Sequence, residues 1–78
     1  MNLEELTKAL NEIDKIKDIL ISLMHCKQQI ERYKRCIEVL KNDNKRYDRL
    51  QKFLEDKQKK EKELEEEYNF LLKKMVDN

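Results

Sequence analysis

Residues 40–47 read Leu-Lys-Asn-Asp-Asn-Lys-Arg-Tyr, and this stretch decides the fold. Asn and Asp tolerate left-handed backbone conformations and compete for backbone hydrogen bonds, so they commonly end one helix and begin the next. The Asn-Asp-Asn run is the strongest turn signal in the sequence. We therefore predict a single helical domain over residues 1–78, with a turn at residues 42–44 that joins a helix over residues 2–41 to a helix over residues 45–77.

The composition is typical of an all-α protein. The 78 residues include no Gly and no Pro, 45% of them are charged and 38% are apolar. A multi-strand β fold needs Gly or Pro at its tight turns, and disordered segments are usually rich in Pro, Gly and Ser. Apolar residues also recur at alternate spacings of three and four, which is typical of coiled-coil helices. They include Leu3, Leu6, Leu10 and Ile13 near the start and Leu64, Tyr68, Leu71 and Met75 near the end.

Folding the chain back at this turn brings apolar residues opposite apolar residues. Residues whose numbers add up to about 87 then face each other across an antiparallel helix pair. Leu23 meets Leu64, and the two polar stretches, residues 26–31 and 57–61, also fall opposite each other. This agreement favours an antiparallel two-helix hairpin of the coiled-coil type.

A continuous helix in a parallel coiled coil is the alternative. Residues 32–35 and 46–49 have similar sequences two heptads apart, as a continuous heptad repeat would give. After Ile37, however, four successive core positions would be polar, which makes a poor seam. They are Asn44, Gln51, Gln58 and Glu65. The hairpin is therefore the preferred prediction.

One narrow row on each helix is not enough to bury all of the apolar residues. Ile19, Ile21 and Met24 are spread too widely around the first helix to face one partner helix. We therefore predict an apolar face that binds a partner and completes a helical bundle, either with a second copy of the chain or with another protein. Its predicted residues are Ile13, Ile16, Ile19, Leu20, Leu23, Met24, Leu64, Tyr68, Leu71 and Met75.

No arrangement of reactive side chains points to catalysis. His25 and Cys26 form the one obvious reactive pair, but adjacent helical residues point about 100° apart and do not face each other. His25, Cys26 and Cys36 are too few to bind a metal ion within one chain. A phosphate-binding loop needs Gly, which the sequence lacks. We predict no enzymatic activity, no catalytic residue, no cofactor, no metal site and no small-molecule substrate.

Positive charge is concentrated around the turn. Residues 25–52 carry nine Lys or Arg and four Asp or Glu, although the net charge of the whole chain is only +1. A basic cluster can contact nucleic acid or an acidic protein groove. The candidate contacts, which we call the basic cluster, are Arg32, Lys34, Arg35, Lys45, Arg46 and Arg49. Acidic residues in the same stretch weaken its field, so a solvated turn is the preferred interpretation.

The function predicted from these patterns is a non-enzymatic protein–protein interaction module, such as a small subunit, an adaptor, a chaperone or an inhibitor of a larger protein. The alternative is a small nucleic-acid-binding regulator that uses the basic cluster. The longest apolar run, residues 19–24, is too short to span a bilayer, so we expect no membrane partner. Two Cys without a signal peptide indicate reduced thiols and a cytoplasmic location.

Overall fold

The protein is a hairpin of two long antiparallel helices. A computed structural model describes residues 2–77 and places α1 at Leu3–Asn42 and α2 at Asp48–Asp77. The helices pack against each other in a rod with extents of 63 × 16 × 15 Å. The prediction of an all-α antiparallel hairpin is confirmed. Because the chain folds back on itself, the continuous parallel helix is excluded.

A side-chain cap fixes the start of α1. The backbone N–H of Glu5 donates a hydrogen bond of 2.8 Å to Oδ1 of Asn2. This bond satisfies one of the N–H groups that the first turn of a helix leaves without a partner. Glu4 and Glu5 also place negative charge at the positive end of the helix dipole. The helical positions of α1 are therefore defined from Leu3 onward.

The turn uses asparagine where glycine is usual. Asn44 has a φ of 57°, in the left-handed region. Its N–H donates to the carbonyl oxygen of Lys41 at 3.1 Å, and the N–H of Lys45 donates to that of Leu40 at 2.8 Å. These two bonds form a Schellman motif, which satisfies carbonyl groups at the end of a helix. Asn can occupy the left-handed position because its short polar side chain tolerates it better than other non-glycine side chains do.

The turn is longer than predicted. The turn expected at residues 42–44 covers residues 43–47, so α2 begins at Asp48, three residues later than predicted. The left-handed residue ends α1, but the chain must then cross the gap of about 8–10 Å between the axes of two packed helices. The carbonyl oxygen of Tyr47 accepts the first helical hydrogen bond of α2, from the N–H of Gln51 at 2.9 Å.

Each helix presents one continuous row of side chains to the other helix, and we call these two rows the seam. Its positions alternate in spacing between three and four residues, which keeps them on one side of a helix, and all of them are buried or half-buried. On α1 the seam consists of Ala9, Glu12, Ile16, Ile19, Leu23, Cys26, Ile30, Tyr33, Ile37 and Leu40. From the turn through α2 it consists of Tyr47, Leu50, Leu54, Lys57, Glu61, Leu64, Tyr68, Leu71 and Met75.

Contacts between the helices confirm the predicted register. Opposite residues have numbers that add up to about 87, as an antiparallel pair closed by this turn requires. Nζ of Lys74 lies 4.0 Å from Oε1 of Glu12 at the open end of the rod. Nearer the turn, the ring centroids of Tyr33 and Phe53 are 6.2 Å apart. The register therefore holds from one end of the hairpin to the other.

A polar interval in α2 divides the buried core in two. The open-end cluster consists of Ile19, Leu23, Cys26 and Leu64, and the turn-end cluster consists of Ile30, Ile37 and Leu54. Between them, the seam positions of α2 are the half-buried Lys57 and Glu61, whose charged groups must stay in contact with water. Even the most deeply buried side chains of these clusters are 5% exposed. The hairpin alone therefore has a thin core.

We expect alanine to act differently at the two asparagines that flank the end of α1. Asn44→Ala should lower the free energy of unfolding by about 1 kcal/mol, because a Cβ without a compensating polar group is disfavoured in the left-handed conformation. Asn42→Ala is the matched control and should leave stability unchanged or slightly raised, since Asn42 is helical and Ala is the better helix former. Urea unfolding followed by circular dichroism measures both changes. Equal effects at the two positions would contradict the turn geometry.

Candidate interaction surface

The structure divides the ten residues of the predicted partner-binding face into two groups. Seven of them lie in the seam: Ile16, Ile19, Leu23, Leu64, Tyr68, Leu71 and Met75. The other three, Ile13, Leu20 and Met24, point away from the seam and are 49%, 41% and 59% exposed. The seven seam residues are covered by the opposite helix and hold the hairpin together. A surface for a partner has to be built from exposed residues instead.

A second apolar row runs along the first half of α1, outside the seam. From its third member onward, each residue follows a seam residue by one position, which turns it about 100° around the helix. We call this row the outer stripe, and it consists of Leu3, Leu6, Leu10, Ile13, Lys17, Leu20 and Met24. Its six apolar members range from 41% exposed at Leu20 to 81% at Leu3. The row is open to solvent over about 32 Å of helix.

Two residues of α2 extend this surface. Leu72 and Val76 follow the seam residues Leu71 and Met75 by one position, and they are 36% and 80% exposed. Each step along a helix turns the side chain by about 100°. Because the two helices face each other and run in opposite directions, this turn leads to the same side of the rod in both of them. Leu72 and Val76 therefore lie beside the outer stripe. We call the combined surface the apolar face.

An ion pair closes the apolar face near the middle of the rod. After Met24, the next position of the outer stripe is Lys27. Nζ of Lys27 lies 3.3 Å from Oε1 of Glu65 and 3.4 Å from Oε2 of the seam residue Glu61. The hydrogen bond to Glu65, and after it the one to Glu61, raises the pKa of Lys27 above its usual value. The surface therefore changes from apolar to charged at the polar interval of the core.

Five apolar residues of the apolar face lie outside the predicted set. They are Leu3, Leu6, Leu10, Leu72 and Val76. The sequence feature that could have identified them is a second apolar row, which has the same spacing as the seam row but is offset from it by one residue. Applying the register strictly would separate the rows, because it places the seam positions of the two helices opposite each other and leaves the outer stripe without a counterpart.

On the opposite side of the rod, a small apolar pocket near the turn is lined by Arg35, Cys36, Val39, Leu40 and Leu50. Phe53 and Phe70 each precede a seam position by one residue, and they are 50% and 67% exposed. The equivalent positions between them on α2 are Asp56, Lys60, Glu63 and Glu67. These charged residues interrupt the row, so the apolar surface on this side does not extend along the rod.

The six residues of the basic cluster are all exposed and lie in the turn-end half of the rod. Arg46 forms an ion pair with Asp48 at 3.6 Å. Within residues 2–77, no other member of the basic cluster lies within 4 Å of an acidic group. Tyr47 is half-buried in the seam, and Nζ of Lys41 lies 5.2 Å from the centroid of its ring. The turn end thus presents positive charge, and this aromatic ring is only partly open to solvent.

The reactive side chains do not share a common site. Cys26 is buried in the seam, whereas His25 and Cys36 are exposed beside the seam and lie about 16 Å apart along α1. Within the part of the chain that the structure describes, no three His, Cys, Asp or Glu side chains are placed to hold a metal ion together. Neither helix, over its described length, has the run of apolar residues that crossing a membrane requires.

No protein-family model, curated protein or solved structure matches the chain. The apolar face and the basic cluster are therefore the features from which a function can be argued.

We expect Lys27 to make stability depend on pH in the alkaline range. Its pKa in the folded chain is raised above the usual value of 10.5, so the folded state holds this proton more tightly than the unfolded state does. Its contribution is therefore complete below the usual pKa and is lost as the pH rises through the folded pKa. Lys27→Gln should reduce the alkaline fall in the free energy of unfolding, measured by urea titration at a series of pH values.

Lys34→Gln is the matched control for this measurement. Lys34 occupies the equivalent position one heptad later, and among residues 2–77 it has no acidic group within 4 Å. Its substitution should leave the alkaline fall close to that of the unaltered chain. The same reduction in both variants would show that the ion pair of Lys27 has no specific effect.

Proposed function

We propose that this protein is a non-enzymatic protein–protein interaction module that binds its partner through the apolar face. One observation supports the proposal: six apolar residues of the outer stripe, with Leu72 and Val76 beside them, are exposed on a single side of the rod. Soluble monomers rarely leave a large contiguous apolar surface open to water, and such surfaces usually mark interaction sites.

The spacing of the outer stripe suits a helical partner. Side chains spaced by three and four residues fit between the side chains of a second helix with the same spacing, as they do in helical bundles. Burying one Leu or Ile side chain contributes about 1.5–3 kcal/mol. Several such residues together can therefore outweigh the loss of translational and rotational freedom on association.

The hairpin provides a fixed platform for such binding. The seam holds α1 against α2, and Asn2 caps the helix one residue before the outer stripe begins. Because the helix is already ordered, binding costs little further backbone entropy. A small subunit, an adaptor, a chaperone and an inhibitor would all use this same mechanism, which needs surface complementarity and no chemistry.

Nucleic-acid binding through the basic cluster is the second candidate. Its support is that six exposed basic residues lie in one half of the rod. In the described part of the chain, only one of them, Arg46, forms an ion pair with an acidic residue. The half-buried ring of Tyr47, with Lys41 over one face, weakens this candidate, because single-stranded nucleic acid usually stacks on free aromatic rings. The apolar face therefore supports the first candidate better than the basic cluster supports the second.

We expect a photo-cross-linking amino acid at position 20 to capture a protein in cells that produce this chain. Leu20 lies in the apolar face, and an adduct there should disappear when Leu10→Asp is added, because a carboxylate in the face opposes apolar packing. Ser22 is the matched control, since it is exposed but lies on the other side of α1. Electrophoresis and mass spectrometry detect and identify the adducts. Equal adducts at both positions, or none at position 20, would contradict the proposal.

The second candidate predicts a DNA complex in a gel-shift assay at low salt, with an affinity that falls steeply between about 50 and 200 mM salt. Arg46→Glu with Arg49→Glu should weaken this complex. Lys8→Glu with Lys15→Glu makes the same change of charge at the open end and is the matched control. The absence of any complex at micromolar protein in low salt would eliminate nucleic-acid binding as the function.

A further inference from the structure

We propose that the apolar face is covered by a second copy of this chain, which packs antiparallel to the first about a two-fold axis near Ile13. The open halves of the two hairpins form a four-helix bundle, and the two turns point outward at opposite ends of the dimer. This inference rests on the proposed function and names the partner of the same surface.

The outer stripe matches itself in the antiparallel direction. A two-fold interface must be self-complementary, because the same surface supplies both sides of it. With the axis near Ile13, which lies at the middle of the stripe, Leu3 lies opposite Met24 of the second copy. By the same rule, Leu6 lies opposite Leu20 of the second copy. Apart from Lys17, which lies opposite Leu10, apolar residues therefore meet apolar residues along the stripe on both sides of the axis.

The first two turns of α1 cannot be covered by the chain's own α2. The register places Asp77, the last described residue of α2, level with Leu10. Leu3 and Leu6 lie beyond this level and are 81% and 45% exposed. In the dimer they pack on α1 of the second copy, where that helix is supported by its own seam.

Charge favours the antiparallel arrangement over the parallel one. Parallel packing would place Lys17 against its own copy and bring the two basic clusters side by side, and like charges in contact repel. Antiparallel packing places Lys17 opposite Leu10, where its stem covers apolar surface and its ammonium group reaches the rim. At the edges of the apolar face, Asp14 and Glu66 carry negative charge and Lys73 carries positive charge. Neither sign of charge therefore dominates the contact.

The size of the face fits a dimer of modest affinity. The outer stripe is about 32 Å long at 1.5 Å per residue, and the rod is 16 Å across. These dimensions give a footprint of about 500 Å² on each copy and about 1,000 Å² in total, which is near the lower limit for specific interfaces. We therefore expect dissociation in the micromolar range.

Sedimentation equilibrium on the full chain tests the stoichiometry, and a spin label on Cys36 tests the direction. Cys36 is exposed and Cys26 is buried, so the native folded chain can be labelled at one position. We expect a mass of two chains and a distance between labels of about 65–70 Å, because both Cys36 residues lie far from the axis on opposite sides of it. A mass of one chain at all concentrations would overturn the dimer. A two-chain mass with labels closer than about 30 Å would overturn the antiparallel arrangement.

Substitutions at the centre of the stripe test the surface itself. Ile13→Asp should weaken the dimer at least about 100-fold, because it removes an apolar contact from both copies and places two carboxylates near the axis. Asn11→Asp is the matched control, since it adds the same charge on the other side of α1 and should change the dissociation constant little. Lys17→Leu completes the stripe and should tighten the dimer about tenfold. Circular dichroism verifies that each variant stays helical.

The outcome at position 20 distinguishes this inference from the proposed function. A cross-linked adduct whose mass is two chains supports both. An adduct with a different protein, together with a one-chain mass in sedimentation, overturns the second-copy partner and leaves the interaction function standing. If neither an adduct nor a two-chain mass is found, both are overturned.

Discussion

Asn44 adopts a left-handed backbone conformation in a chain that contains no glycine, and the path of the chain after it sets the position of α2. Two hydrogen bonds beside this residue end α1, and the following three residues cross to the second helix. The resulting register places Leu64 opposite Leu23 and Leu50 opposite Ile37. A shift of one residue would rotate α2 by about 100° and move its few apolar seam residues away from α1. The whole seam therefore depends on the geometry of this turn.

The apolar residues of α1 serve two surfaces that lie side by side on one helix. The seam takes Ile16, Ile19 and Leu23, and the outer stripe takes the residues that follow them by one position. On α2, most positions beside the seam are charged, so the second surface belongs mainly to α1. This asymmetry explains why a hairpin with a thin core retains so many exposed Leu and Ile side chains. Their removal from water requires a contact outside the hairpin.

The fold could be predicted from the sequence because the helical spacing, the missing Gly and Pro, and the Asn-Asp-Asn run all favour the same structure. The site was harder to predict. A spacing of three and four residues allows Ile13 and Ile16 to belong to one row, whereas the structure places them in two rows about 100° apart. The start of α2 was also missed, because the propensities of residues 45–47 do not encode the distance between two packed helices. Both differences concern tertiary geometry rather than helix formation.

The polar interval at Lys57 and Glu61 has a consequence for the order in which the hairpin forms. Packing of the turn-end cluster closes a short loop, as between Ile37 and Leu50, and therefore costs little chain entropy. The open-end cluster closes a much longer loop, and the charged interval separates it from the first. We therefore expect the turn half to form early, and the open half to close last and open most often. Amide hydrogens at the open end of both helices should then exchange faster than those near the turn in the free chain, and a partner on the apolar face should slow this exchange by binding the closed form.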